Sequence, residues 1–124
     1  MILQNIVQLG EVLNSLSNQK MPINIGYKIM KLEKEIENDI AFYKQKLEEI
    51  ISMYGQKDEE GKFVTLDNGN IKISEGMEEE CINAFTVLDN TETDLPKTKL
   101  PIEALSSIEL TPRELKILSD IIEE

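Results

Sequence analysis

Between Asn24 and Tyr54 the apolar residues fall on one stripe: Ile25, Ile29, Leu32, Ile36, Ile40, Tyr43, Leu47, Ile50 and Tyr54. Their steps of four and three average about 3.6 residues, the period of a straight α-helix with a single buried face. The pattern predicts one helix of about eight turns, roughly 45 Å long at the usual rise per residue. A compact domain of this size is only about 35 Å across. A helix longer than its own domain calls for an elongated shape or a partner chain, so the stripe predicts an elongated molecule that forms a homo-oligomer.

The flanking pattern fills in the fold. Ile2, Ile6, Leu9, Leu13 and Leu16 mark a first amphipathic helix, in which Gly10 costs about 1 kcal/mol relative to Ala. Met21-Pro22 interrupts it, Asn24 is the expected N-cap of the long helix, and Gly55 ends that helix as a C′ glycine. Residues 1–55 thus read as an antiparallel helical hairpin. Lys62–Leu66 and Ile71–Ile73 flank Asp67-Asn68-Gly69-Asn70, which predicts a β-hairpin over 62–74. Ser74 is placed to cap a third helix over about 75–89, with Met77, Cys81, Ala84, Phe85 and Leu88 on one face. Glu75, Glu78, Glu79 and Glu80 lie at its N-terminal end, where the helix dipole favours negative charge.

Asp89–Lys99 reads as extended and Pro101–Leu105 as a brief helical turn. Thr111-Pro112-Arg113-Glu114 is a capping box that launches a last helix over about 112–122, carrying Leu115, Leu118, Ile121 and Ile122. No internal repeat or low-complexity tract is evident. The expected fold is a single α+β domain over 1–124, mainly α: a long helix in a helical hairpin, a small β-hairpin and two further short helices.

Composition narrows the chemistry. The chain has no His and no Trp, and its one Cys is Cys81. That excludes a disulfide framework and any His-bearing zinc site. Asp58 to Asn70 holds the acids and glycines of a calcium loop but not their required order. There is no phosphate-loop or dinucleotide fingerprint, no side chain stands out as a general base, and no cofactor or metal is expected. The reading is a non-enzymatic protein. No apolar run approaches the length of a membrane span, and Met1–Asn5 lacks the charged region of a signal peptide, so a cytoplasmic protein without membrane contact is expected.

The net charge of −11 is unevenly spread. Residues 1–46 hold six lysines against five acids, whereas residues 47–124 hold 19 acids against seven bases. Duplex DNA repels such a chain. The acidic portion fits instead a nucleic-acid mimic that occupies a basic groove on a host protein.

One cluster runs against the helix dipole. Lys28, Lys31 and Lys34 lie in the first three turns of the long helix, after Gly26 and Tyr27 and close in sequence to Lys20. Lysines there oppose the positive helix end. With free N–H groups, a glycine for close approach and an aromatic ring for stacking, they suit an anionic ligand such as a nucleotide phosphate. The competing reading pairs these lysines with Glu33, Glu35 and Glu37 on a solvated surface.

The spacing Leu9…Leu13…Leu16, Lys20-Met21-Pro22-Ile23, Tyr27-Lys28-Ile29, Lys31-Leu32, Glu35 and Tyr43 is followed by Tyr54-Gly55-Gln56-Lys57-Asp58-Glu59-Glu60-Gly61-Lys62. With the closing Ile108–Pro112 and Leu115…Leu118, it resembles a group of small, mostly uncharacterised proteins encoded by phages and prophages of Gram-positive bacteria. The resemblance covers most of the chain but carries no catalytic residues. It implies a viral protein working in the host cytoplasm. The leading expectation is an inhibitor of host antiviral defence, specifically a sponge that holds a nucleotide immune signal, of cyclic dinucleotide or ADP-ribose type, at an oligomer interface. The alternatives are a virion structural or assembly protein, or the acidic mimic bound to a host protein.

Overall fold

A computed structural model describes residues 1–124. The long helix is present as α2 (Ile23–Tyr54), 32 residues without a break and about 48 Å long. Pro22, at φ −54°, is its N-cap, and the Pro22 carbonyl accepts the N–H groups of Ile25 and Gly26 at 3.1 and 3.0 Å. Asn24, the expected cap, lies inside the first turn and makes no capping bond. Proline's fixed φ sets the entry without a polar side chain. At the other end Gly55 is the C-cap, but in extended backbone (φ −68°, ψ 136°), not the left-handed conformation expected of it. A Cβ on Gly55 would lie 2.6 Å from the Ile51 carbonyl oxygen and 2.9 Å from the Phe63 ring. Close approach, not handedness, selects glycine there.

Helix α1 (Leu3–Leu16) runs antiparallel to the first half of α2, giving the predicted hairpin. The helices pack tightly at Gly10, where a Cβ would lie 2.5 Å from Ile40 Cδ1. The glycine that weakens α1 therefore makes room for the long helix. Leu9, Leu13 and Leu16 meet Ile25, Ile29, Leu32 and Ile36, and Leu100, Ala104, Ile108, Leu118 and Ile121 close the core from the C-terminal segment. No polar or charged side chain is buried.

The stripe on α2 thus divides in two. Ile25, Ile29, Leu32 and Ile36 are buried, whereas Ile40, Tyr43, Leu47, Ile50 and Tyr54 are half-buried. The distal half is covered on one side by α3 (Glu78–Asp89), which buries Cys81 and Leu88. α3 starts three residues later than expected. Ser74 does not cap it, and Met77 does so with its backbone alone. The Ser74 carbonyl instead accepts the Met77 N–H at 3.0 Å in a tight turn, which leaves Glu75 outside the helix.

Between α2 and α3 the predicted hairpin forms around Asn68-Gly69, with Thr65 opposite Ile71. Only Gly69 has positive φ (86°), so the turn is not of the type in which Asn68 would also be left-handed. The chain from Gly55 to Lys57 joins as a third arm, pairing with both arms of the hairpin. The Val64 N–H donates to the Gln56 carbonyl at 2.8 Å, Lys72 N–H to Val64 at 2.8 Å, and Gln56 N–H to Lys72 at 2.7 Å. Positions 56, 64 and 72 close a ring, so the three arms form a small prism rather than a flat sheet. Its recurrence every eight residues is an internal repeat that the residue pattern did not disclose.

The C-terminal segment holds a further difference. Helix α4 (Pro112–Leu118) begins with the predicted capping box, Glu114 N–H to Thr111 Oγ1 at 3.2 Å and Thr111 N–H to Glu114 Oε1 at 2.9 Å. It then tightens into a 3₁₀ turn (Ser119–Ile121), and Ile122 leaves the helix. Strand β2 (Ile122–Glu123) pairs in parallel with β1 (Leu100–Pro101), a two-residue sheet not anticipated from sequence. A 3₁₀ helix over Ile102–Ser107 occupies the expected brief turn. The architecture is mainly α with a little β.

Candidate functional site

At about 100° per residue, Lys28, Lys31 and Lys34 step round α2 by about 60° each, so they form a band rather than a single row. Tyr27, Lys31 and Lys34, at i, i+4 and i+7, share the outward face, and Tyr27 is 59% exposed. Lys28 is half-buried on the flank, while Lys20 is exposed in the link before the helix. The Gly26 N–H is bonded to Pro22, so the free donors at this helix start are those of Ile23 and Asn24. A Cβ on Gly26 would make only ordinary contact with Met21, at 3.7 Å. Its small size serves no packing need of this chain.

The expected pairing of these lysines with Glu33, Glu35 and Glu37 is not formed. The ion pairs of the chain are Lys46–Glu49, Lys62–Glu60 and Lys97–Asp94. Lys20, Lys28, Lys31 and Lys34 have no carboxylate within 4.0 Å. Glu35 is engaged elsewhere, accepting the N–H groups of Lys97 at 2.8 Å and Thr98 at 3.1 Å. Burial works to raise its carboxyl, but the Thr98 hydroxyl, those two N–H groups and the Lys31 charge outweigh it and hold Glu35 below the usual carboxylate value.

Glu35 begins a ladder along one flank of α2. One turn on, Asp39 accepts the Thr93 hydroxyl at 2.8 Å, and one turn further Tyr43 donates to Asp89 at 2.7 Å. The i, i+4, i+8 spacing places all three on one line. They strap residues 89–98 to the helix. Burial, then the hydrogen bond and charge of Asp89, push the Tyr43 hydroxyl up to about 12.

Two clefts flank the same helix. One, of ≈ 560 Å³, lies between α1 and α2 on a floor of Gly10, Ile36 and Ile40, with Glu33, Lys34, Glu37 and Lys44 on its walls. Burial raises the Glu33 carboxyl. Lys34 alone of the lysine set reaches it. The other, of ≈ 390 Å³, runs between the distal half of α2 and α3 and is mostly apolar. It was not legible as a site because Phe42 and Met53 lie off the predicted stripe; two large apolar residues on the polar side of a helix were the signal available.

No three acidic or Cys side chains gather closely enough to share a metal ion. Cys81 is 2% exposed and burial pushes its thiol up, which keeps it protonated and unreactive. No helix is long and apolar enough to cross a membrane. Comparison with protein-family models, curated proteins and solved structures found no match.

Proposed function

We propose that the chain is a non-enzymatic binding protein that takes an anionic, nucleotide-type ligand on the Tyr27, Lys31 and Lys34 face, with Lys28 and Lys20 at its edges. One observation carries this reading. In a chain with 24 acids and 13 bases, these lysines close no ion pair within 4.0 Å and share the helix surface with an exposed aromatic ring. Cations outside direct ion pairs, next to a stacking surface, suit a phosphate and a base. Tyr27, Lys31 and Lys34 lie on the outward side of one helix, and a second copy closing over that side would enclose the ligand.

In the phage setting that the sequence resemblance implies, such binding counters host antiviral defence by sequestering a nucleotide immune signal without cleaving it. Titration calorimetry with cyclic dinucleotides and ADP-ribose tests the reading. Binding by the wild-type chain, weakened at least tenfold by Lys31→Glu with Lys34→Glu, is the expected result. No binding to any of these ligands, or equal binding by the double variant, overturns it.

A further inference from the structure

The groove between α2 and α3 has one wall with an unusual order. Along α2 it presents Phe42, Lys46, Glu49 and Met53, at steps of four, three and four. These steps keep the residues on one line of the helix surface. The order is complementary to its own reverse: a large apolar residue, a base, an acid and a large apolar residue. Phe42 is 46% exposed and Met53 71% exposed, while the central pair bonds within the chain at 3.0 Å. Across the groove Val87 of α3 is 70% exposed.

We infer that this groove is the contact between two copies of the chain, packed antiparallel about a two-fold axis that passes midway between Lys46 and Glu49. In a two-fold contact, residue i of one copy meets j of the other, and j meets i. Phe42 precedes Lys46 by the same four residues by which Met53 follows Glu49. An axis at the centre of the stripe therefore sets Phe42 against Met53 of the second copy, and Lys46 against Glu49 of the second copy, each pair occurring twice. Val87 and Ala84 form the outer wall, so that α2 and α3 of both copies make a four-helix contact. The distal half of α2, half-buried in one chain, gains the cover it lacks.

Charge selects the same occupant. Two copies at net −11 repel over most of their surface. Along this stripe one base faces one acid in both directions, which favours the antiparallel register and penalises the parallel one, where Lys46 meets Lys46 and Glu49 meets Glu49. The contact needs no ligand and stands apart from the proposed nucleotide face.

Sedimentation equilibrium of the full chain tests the interface. The wild-type protein is expected at twice its 14.1 kDa chain mass. Lys46→Glu alone and Glu49→Lys alone each set like charges across the axis and weaken the dimer roughly tenfold or more. An equimolar mixture of these two variants restores opposite charges and returns the dimer. Both side chains are exposed, and circular dichroism checks that each variant keeps its helices. A wild-type monomer at all concentrations overturns the proposal and leaves the groove to another occupant. A dimer that neither charge reversal weakens, or a mixture no more associated than its components, overturns this interface even if the nucleotide reading holds.

Discussion

The Tyr43 hydroxyl donates a hydrogen bond of 2.7 Å to Asp89 Oδ1, tying the middle of the long helix to the last residue of α3. Both partners are half-buried, and the bond favours the protonated phenol, whose value rises from 10 to about 12. A raised value in the folded state means stability that is fully present below pH 10 and is lost as pH climbs through 12. Tyr43→Phe is expected to cost about 1 kcal/mol near neutral pH. Urea denaturation from pH 8 to 12 checks this: the gap between wild type and Tyr43→Phe shrinks across the upper two units.

Glu35 acts with the opposite sign. Its carboxylate holds two backbone N–H groups and lies below its ordinary 4.5. Its contribution is therefore present above pH 4.5 and falls away as pH drops through the depressed value. Glu35→Ala leaves the N–H groups of Lys97 and Thr98 without their acceptor and is expected to cost about 1–2 kcal/mol. Hydrogen exchange reads this locally, with faster exchange at Lys97 and Thr98 in the variant at pH 7 and a smaller difference near pH 3.

Gln19 makes a comparable attachment in the link between α1 and α2. Its side-chain amide donates to the Glu109 carbonyl and accepts the Glu109 N–H, both at 2.9 Å. Only an amide supplies a donor and an acceptor in that fork. Gln19→Glu sets a carboxylate against the Glu109 carbonyl and is expected to destabilise by about 1–2 kcal/mol, more than Gln19→Ala, as thermal denaturation of the two variants at pH 7 would show.

The helices were legible because their signals are local and redundant. Nine apolar positions mark α2, and Thr111, Pro112 and Glu114 mark α4 independently of packing. Cap positions were less so: Pro22 and Met77 cap by backbone geometry, which leaves no polar residue to read. The parallel pair Leu100–Ile122 joins positions far apart in the chain, with two residues per strand and no alternation to detect. For the candidate site, the lysine cluster was legible from the residues alone, but the engagement of Glu35 by another segment was not. The N–H groups of Lys97 and Thr98 hold Glu35 in a contact between distant segments. The Phe42–Met53 stripe gained meaning only once α3 was seen to leave it open.

The prism offers the sharpest test of local packing. Gly55, Phe63 and Ile71 stand eight residues apart, like the bonded ring at 56, 64 and 72 one position on. The Phe63 ring fills the space where a Gly55 side chain would go, and the Ile51 carbonyl blocks it from the helix side. The contact with Ile51 is to backbone, so no rotamer change relieves it. Gly55→Ala is therefore expected to destabilise by about 1–3 kcal/mol, by moving the prism off the end of α2. Hydrogen exchange should quicken about tenfold or more at Gln56, Val64 and Lys72, with little change in α1, because the three arms pair chiefly with one another. Phe63→Leu in the Gly55→Ala background removes the ring but not the Ile51 contact, so it recovers only part of the loss. Unchanged stability in Gly55→Ala would show that the arms have room to shift, and that glycine is not required where the helix meets the prism.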